Sequence, residues 1–165
     1  MSSGPPDDPA SGLRVLLVED ESMVAMLLED MLADFGCEVI GPVARVGKAL
    51  AMAQREPLDI AILDVNLNGQ EVYPVAAALA TRGIPFVFAT GYGKRSLRRP
   101  YDDRPILPKP FRRRDVHAAL AEVRRAKESS ASARTHPADG GVAGDRVAKH
   151  TDIAKGHPST RRGLV

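Results

Sequence analysis

The chain has a single cysteine, Cys37, so no internal disulfide can form, and this is compatible with a reducing compartment. Cys37 itself reads as a small apolar residue entering a strand. Long apolar runs are missing too. No stretch approaches the roughly 20 residues that a membrane-spanning helix needs. Met1 to Gly12 is rich in Pro, Ser, Gly and Asp and has no apolar centre that would make it a signal peptide. Net charge is small, +2 over 165 residues, but unevenly spread. Residues 1–126 carry 16 basic and 17 acidic side chains, whereas residues 127–165 carry 7 and 4. An apolar fraction of 44% suits one globular domain. A soluble, cytoplasmic protein is expected, with a near-neutral body and a basic tail.

What is present is an alternation of strand and helix patterns. Leu58, Ile60, Ala61, Ile62 and Leu63 form a near-continuous apolar run, as in a parallel strand covered on both faces. Asp64 ends it. An acid there is either a cap or turn residue or a group placed where open α/β sheets hold their ligands, beyond the carboxyl ends of the strands. Leu13 to Val18 is an earlier run of this kind, and it breaks into Glu19, Asp20 and Glu21. Three acids before a helix either complement its dipole or serve a site. The next segment sets Val24, Leu27, Leu28, Met31 and Phe35 at helical spacing, with Ser22 as cap and Gly36 as stop.

Cys37 to Ile40 reads as a short strand ended by Gly41 and Pro42, and Val46 to Arg55 as a short helix with Val46, Ala49, Leu50 and Ala53 inward. After Asp64 comes a loop, Val65 to Gln70, with Asn66, Asn68 and Gly69 as turn residues. Glu71 to Thr81 is a third helix, with Pro74 tolerable in its first turn. Ile84 to Ala89 is a strand that delivers Thr90 to the sheet's edge, ahead of Gly91, Tyr92 and Gly93. From Lys94 to Arg104 charged residues leave almost no apolar face, which predicts a loop with at most a turn of helix. Ile106 and Leu107 form a last strand before Pro108, Lys109 and Pro110. A helix follows from about Arg112 to Arg125, with Val116, Ala119, Leu120 and Val123 inward. Arg112 to Arg114 oppose its dipole, which points to a partner outside the domain.

Five alternations imply a parallel sheet wound on both faces by right-handed crossovers. Glu19, Asp20, Asp64, Thr90 and Lys109 then fall at one edge. Clustered carboxylates repel, and a hard divalent cation such as magnesium is their natural partner. Asp64 is a candidate nucleophile: with the metal and Lys109 neutralising phosphoryl oxygens, a carboxylate can accept the group as an acyl phosphate. Thr90 could hydrogen-bond the new phosphate and pull its loop inward.

These residues resemble the receiver domain of bacterial two-component response regulators, over about Leu13 to Arg125. The motifs are Val18-Glu-Asp-Glu21, Leu63-Asp-Val-Asn66, Ala89-Thr-Gly91 and Pro108-Lys-Pro-Phe111. The resemblance implies a flavodoxin-like five-stranded sheet of order 2-1-3-4-5. It implies Asp64 as the phosphorylated residue, Asp20 and Asp64 as direct magnesium ligands, a backbone carbonyl of Asn66 on the metal, and Glu19 acting through water. Thr90 matches the switch hydroxyl and Lys109 the phosphate-pairing lysine. Ile106 departs from the pattern, standing where the family places an aromatic switch residue. Tyr92 is the candidate replacement, and its alternative is a loop aromatic tucked against the body. The run Phe88-Ala-Thr-Gly-Tyr92 resembles a subgroup of often single-domain receivers with a short fourth helix, paired with a distinct group of histidine kinases.

From Lys127 onward the composition reads as a disordered tail, Asp145 to Ala154 being the one segment with weak helical character. The domains expected are therefore a flexible lead at 1–12, a receiver at 13–126 and a basic tail at 127–165, with no DNA-binding domain. His136, His150 and His157 are too scattered for a metal site, and His117 reads as a surface residue. The function expected is a stand-alone phosphoacceptor taking its phosphoryl group from a histidine kinase and signalling to a downstream protein, or draining the kinase. It is a switch and not a turnover enzyme. A phosphorylation-independent docking module is the alternative, and a magnesium-dependent phosphatase is the third possibility, disfavoured because Asn66 stands where such an enzyme has a second acid.

Overall fold

The apolar run that ends in Asp64 is the centre of a sheet. In the computed structural model, which describes residues 7–134, the elements are β1 (Arg14–Val18), α1 (Ser22–Asp34), β2 (Glu38–Val43), α2 (Val46–Arg55) and β3 (Ile60–Asp64). Then come the short β4 (Asn66–Leu67) and β5 (Gln70–Glu71), α3 (Tyr73–Thr81), β6 (Phe86–Thr90), a 3-10 turn at Lys94–Ser96, β7 (Ile106–Pro108) and α4 (Arg113–Arg134). The main sheet is parallel, in the order β2-β1-β3-β6-β7. Counting its strands alone, this is the flavodoxin-like 2-1-3-4-5 order. β4 and β5 form a small antiparallel hairpin beside it.

Alternate residues of each strand feed two separate layers. Val15, Leu17, Ile60, Ile62, Val87, Ala89 and Leu107 pack with Leu28 and Leu32 of α1 and Val116, Leu120 and Val123 of α4. Leu16, Val18, Ala61, Leu63, Phe86 and Phe88 pack on the other face with Ala49 and Ala53 of α2 and Val75, Ala76 and Leu79 of α3. Burying each of the larger side chains contributes about 1.5–3 kcal/mol. This two-sided burial explains why β3 and β6 are apolar along their whole length: all five residues of each are buried.

The register decides what meets at the carboxyl edge. Val18 lies opposite Leu63, Asp64 opposite Ala89 and Thr90 opposite Pro108. Glu19 and Asp64 thus leave level with each other, Thr90 one residue further along and Lys109 one residue beyond Thr90, on four adjacent strands. No helix among the described residues is long and apolar enough to cross a membrane.

Several elements differ from expectation. β2 does not stop at Gly41 but continues through Pro42 to Val43, a proline being tolerated on an edge strand. Gly41 sits at φ 109° with Leu17 O only 2.7 Å from where a Cβ would lie, so the close approach to β1 requires glycine. Ser22 is the first helical residue of α1 and not its cap, which is Glu21 without a side-chain bond. The buried stripe of α1 is Ala25, Leu28 and Leu32, while Leu27 is 45% exposed. Val24 and Met31 are half-buried against the same core and Phe35 is buried, so the expected stripe holds except at Leu27, with Ala25 and Leu32 added to it. Arg113 has an internal partner, Asp34 Oδ2 at 2.6 Å, and its guanidinium lies over Phe35.

Packing extends across both expected boundaries. The described part of the lead, from residue 7, is bonded to the body. Ala10 is fully buried, Cys37 Sγ donates to Ala10 O at 3.3 Å, and Arg124 donates to Pro9 O and Ser11 O. Asp8 meets His117 Nε2 at 3.0 Å, and the His117 ring sits edge-on against Phe35. Burial acts against the Asp8 charge, but the Ala10 N–H, His117 and Arg113 outweigh it and hold the carboxyl below its ordinary value. Burial pushes the Cys37 thiol up to about 12, with the Asp8 charge adding to it, which keeps it un-ionised and unreactive. At the other end α4 runs to Arg134, beyond the expected boundary at 126. Lys127 pairs with Asp59, and Ser130 Oγ bonds Ala126 O. The remainder of the tail, with His136, His150 and His157, lies outside the described residues.

The docked lead gives a direct test. Ala10→Asp, which forces a carboxylate into a site without exposure, is expected to cost about 2–4 kcal/mol in urea unfolding. An unchanged midpoint would contradict the packing of this segment.

Candidate functional site

Each functional group at the carboxyl edge is set by a local bond. The N–H of Glu19 donates to Val43 O at 3.0 Å, fixing the exit from β1, and the N–H of Lys109 donates to Thr90 O at 3.0 Å, fixing the exit from β7. Asn68 and Gly69 adopt positive φ, 51° and 85°, and the turn they make brings the Asn68 N–H to Asp20 Oδ2 at 2.8 Å. The Asn66 N–H lies 3.3 Å from Asp64 Oδ1, and its side-chain carbonyl accepts from Gly69. The side chain of Asn66 is thus spent on the hairpin, leaving its main chain beside the acids.

Glu19, Asp20 and Asp64 each offer a carboxylate oxygen within 4.8 Å of the others. Lys109 Nζ bridges two of them, 3.0 Å from Glu19 Oε2 and 3.2 Å from Asp64 Oδ2. Glu19 is 2% and Asp64 8% exposed, so the charges meet with little water to screen them. Burial pushes the Glu19 carboxyl from 4.5 up to about 7, against the Glu21 N–H and Lys109, with the Asp64 charge adding to the rise. Burial works against the Lys109 ammonium, but its hydrogen bond to Glu19 and the charge of Asp64 outweigh it and raise its pKa.

This is an oxygen donor set with more negative charge than one lysine neutralises. It fits a hard divalent cation, with Glu19, Asp20 and Asp64 as the residues to hold it.

Thr90, at the end of β6, accepts from the Tyr92 N–H at 3.0 Å and lies 3.2 Å from Ser96 Oγ. Tyr92 is 89% exposed, so it is not tucked against the body. Ile106 packs into the layer that holds Tyr73, Phe88 and Tyr101. The structure thus brings together Glu19, Asp20, Asp64 and Lys109, sets Thr90 at the same edge, and leaves Tyr92 outside. One contributor carries no signal in the sequence: Ser96 lies in a stretch without periodicity. Asn68, legible as a turn residue, acts through its backbone N–H.

A doubly wound sheet that gathers acids and a lysine at its carboxyl edge is the architecture of the receivers of two-component signalling. The chain belongs to the response regulator receiver domain family, whose model matches residues 15–121. The transcriptional regulatory protein PdtaR of Mycobacterium tuberculosis is 31% identical over 117 residues, 68% of this chain and 57% of PdtaR. The chain therefore spans little more than half of that relative's length.

The solution structure of SdrG from Sphingomonas melonis Fr1 is 46% identical, with a TM-score of 0.61 over 69% of this chain and 97% of SdrG. SdrG is also known in a BeF3-activated conformation. The receiver domain of the sensor histidine kinase PA1611 of Pseudomonas aeruginosa shares the fold at 23% identity, with a TM-score of 0.59 over 70% of this chain and 99% of that domain. It was crystallised with magnesium in its active-site cleft.

The raised Glu19 value has a pH consequence. The folded state holds the Glu19 proton more tightly than the unfolded chain, and the stability this contributes is lost as pH rises from about 4.5 to about 7. In a chelator, thermal unfolding is expected to show Glu19→Gln gaining on the wild type through that window. A difference independent of pH would contradict the burial of this carboxyl beside Asp64.

Proposed function

We propose that the protein is a cytoplasmic response regulator that accepts a phosphoryl group on Asp64 from a histidine kinase. The observation that carries this reading is the Lys109 ammonium held between Glu19 and Asp64. An Asp64 oxygen attacks phosphorus, the new P–O bond forms as the P–N bond to the kinase imidazole breaks, and the electron pair returns to the imidazole nitrogen. Lys109, already against Asp64 Oδ2, pairs with a phosphoryl oxygen once the carboxylate is esterified. Magnesium, when bound, would supply further neutralisation of phosphoryl charge; Asp20 and Asp64 would hold it directly, with the Asn66 carbonyl and, through water, Glu19. Thr90 donates a hydrogen bond from its hydroxyl to a phosphoryl oxygen.

The product is a changed surface: the loop after Thr90, with Tyr92 at its exposed tip, is the part a downstream protein meets. In the stand-alone form the protein passes its signal by such contact or drains the kinase. BeF3 activation of SdrG supports a switch of this kind. Ile106 favours a second reading, a docking module that binds its partner regardless of phosphorylation, since no ring at that position can rotate.

Acetyl phosphate labelling read by intact mass separates these. One magnesium-dependent phosphoryl addition is expected in the wild type and none in Asp64→Asn. Labelling retained in Asp64→Asn would sink the assignment. Equal partner affinity with and without a phosphoryl mimic would establish the docking module instead.

A further inference from the structure

Thr90 has one hydroxyl proton, and in this structure that proton is already engaged. Ser96 Oγ lies 2.7 Å from Gly93 O and donates to it, which uses the single proton of the serine. In the 3.2 Å pair between Thr90 and Ser96, Thr90 is therefore the donor. Its lone pair accepts from the Tyr92 N–H at 3.0 Å. A phosphoryl oxygen on Asp64 can only accept. Thr90 can thus bond to it only by withdrawing its proton from Ser96.

The segment affected has clear limits. At its start lies Thr90, held in β6. At its far end Leu97 is buried, and the Arg98 N–H donates to the Tyr73 hydroxyl at 3.0 Å. Tyr73 stacks on Tyr101 with planes 5° apart, and Tyr101 abuts Phe86 and Phe88. Between these anchors Gly91 and Gly93 flank the exposed Tyr92, Gly93 at φ 71°. A change in Thr90 reaches Tyr92 directly, through its amide, and Ser96 through its hydroxyl.

We propose that Ser96 is the resting-state acceptor of the Thr90 proton, a positioning residue that holds the Gly91–Ser96 turn closed until a phosphoryl group on Asp64 competes for that proton. This rests on the receiver reading and adds a part to it. No ring at Ile106 is needed, because the device is the exchange of one hydrogen-bond acceptor for a charged and stronger one.

The test uses the full chain, its Ser96→Ala, Ser96→Thr and Thr90→Ala variants and the double variant Thr90→Ala/Ser96→Ala. Each is titrated with beryllofluoride in magnesium and followed by amide exchange without either. Ser96→Ala removes an acceptor from the resting state alone. It is expected to raise beryllofluoride affinity about fivefold, the factor that one net hydrogen bond is worth. Ser96→Thr keeps the hydroxyl and stays close to the wild type. In the Thr90→Ala background the Ser96 change is expected to have no effect. No gain in Ser96→Ala, or the same gain without Thr90, would overturn the proposal and leave Ser96 a turn residue only.

The exchange arm is independent of phosphoryl chemistry. Ser96→Ala is expected to speed exchange of the Tyr92 amide in the resting protein, and an unchanged rate would overturn the proposal. A wild type that binds no beryllofluoride would refute the receiver reading, while the Tyr92 amide would still decide whether Ser96 holds Thr90.

Discussion

One ammonium between two buried carboxylates is the interaction on which the edge of this sheet depends. Glu19 and Asp64 leave adjacent strands level with each other, and Asp20 follows Glu19 directly. Without Lys109 this would be uncompensated negative charge in a poorly hydrated crevice, which is strongly destabilising. The lysine itself is aimed by β7, whose register against β6 sets Pro108 opposite Thr90 and Lys109 one residue beyond it, with its N–H on Thr90 O. The compensation is partial: burial pushes the Glu19 carboxyl up to about 7, with the Asp64 charge adding to the rise against the pull of Lys109. A site in this state favours the arrival of a cation.

Around this edge the two faces of the sheet are built differently. On one face α1 and α4 are tied by Arg113 to Asp34, and the segment from Asp8 to Ser11 is bonded to α4 through His117 and Arg124. The other face carries α2 and α3, then the irregular stretch after β6. There a 3-10 turn and an aromatic stack of Tyr73 on Tyr101 replace a fourth crossover helix. Proteins that change shape on a signal draw their moving parts from segments with few buried contacts. The Gly91–Ser96 turn, with one buried neighbour in Leu97 and an exposed Tyr92, is such a segment, and it begins at Thr90.

Much of this was legible in the sequence, for physical reasons. Strands covered on both faces must be apolar throughout, so β1, β3 and β6 announced themselves, and the acids that interrupt them were conspicuous for that reason. Asp64, Asp20, Glu19 and Lys109 could be assigned to one edge because a parallel sheet puts every strand's carboxyl end on the same side. What escaped was whatever depends on tertiary contact without a periodic signature. Ala10 is one small residue in a segment of turn-forming composition, yet it is fully buried because α4 and Cys37 close over it. α4 continues beyond its apolar stripe on polar and small residues, helped by the Lys127 pair with Asp59. The exposure of Leu27 in α1 and the run of β2 through Pro42 are matters that only packing decides. Ser96 was invisible because its role is a bond to a residue six positions away in a loop.

The measurement that bears most directly on the whole picture is a structure of the protein with magnesium and beryllofluoride. The arrangement described here predicts beryllofluoride on Asp64, with the Lys109 ammonium and the Thr90 hydroxyl on its fluorines and Thr90 parted from Ser96. Beryllofluoride bound elsewhere, or bound on Asp64 with Thr90 still donating to Ser96, would contradict it.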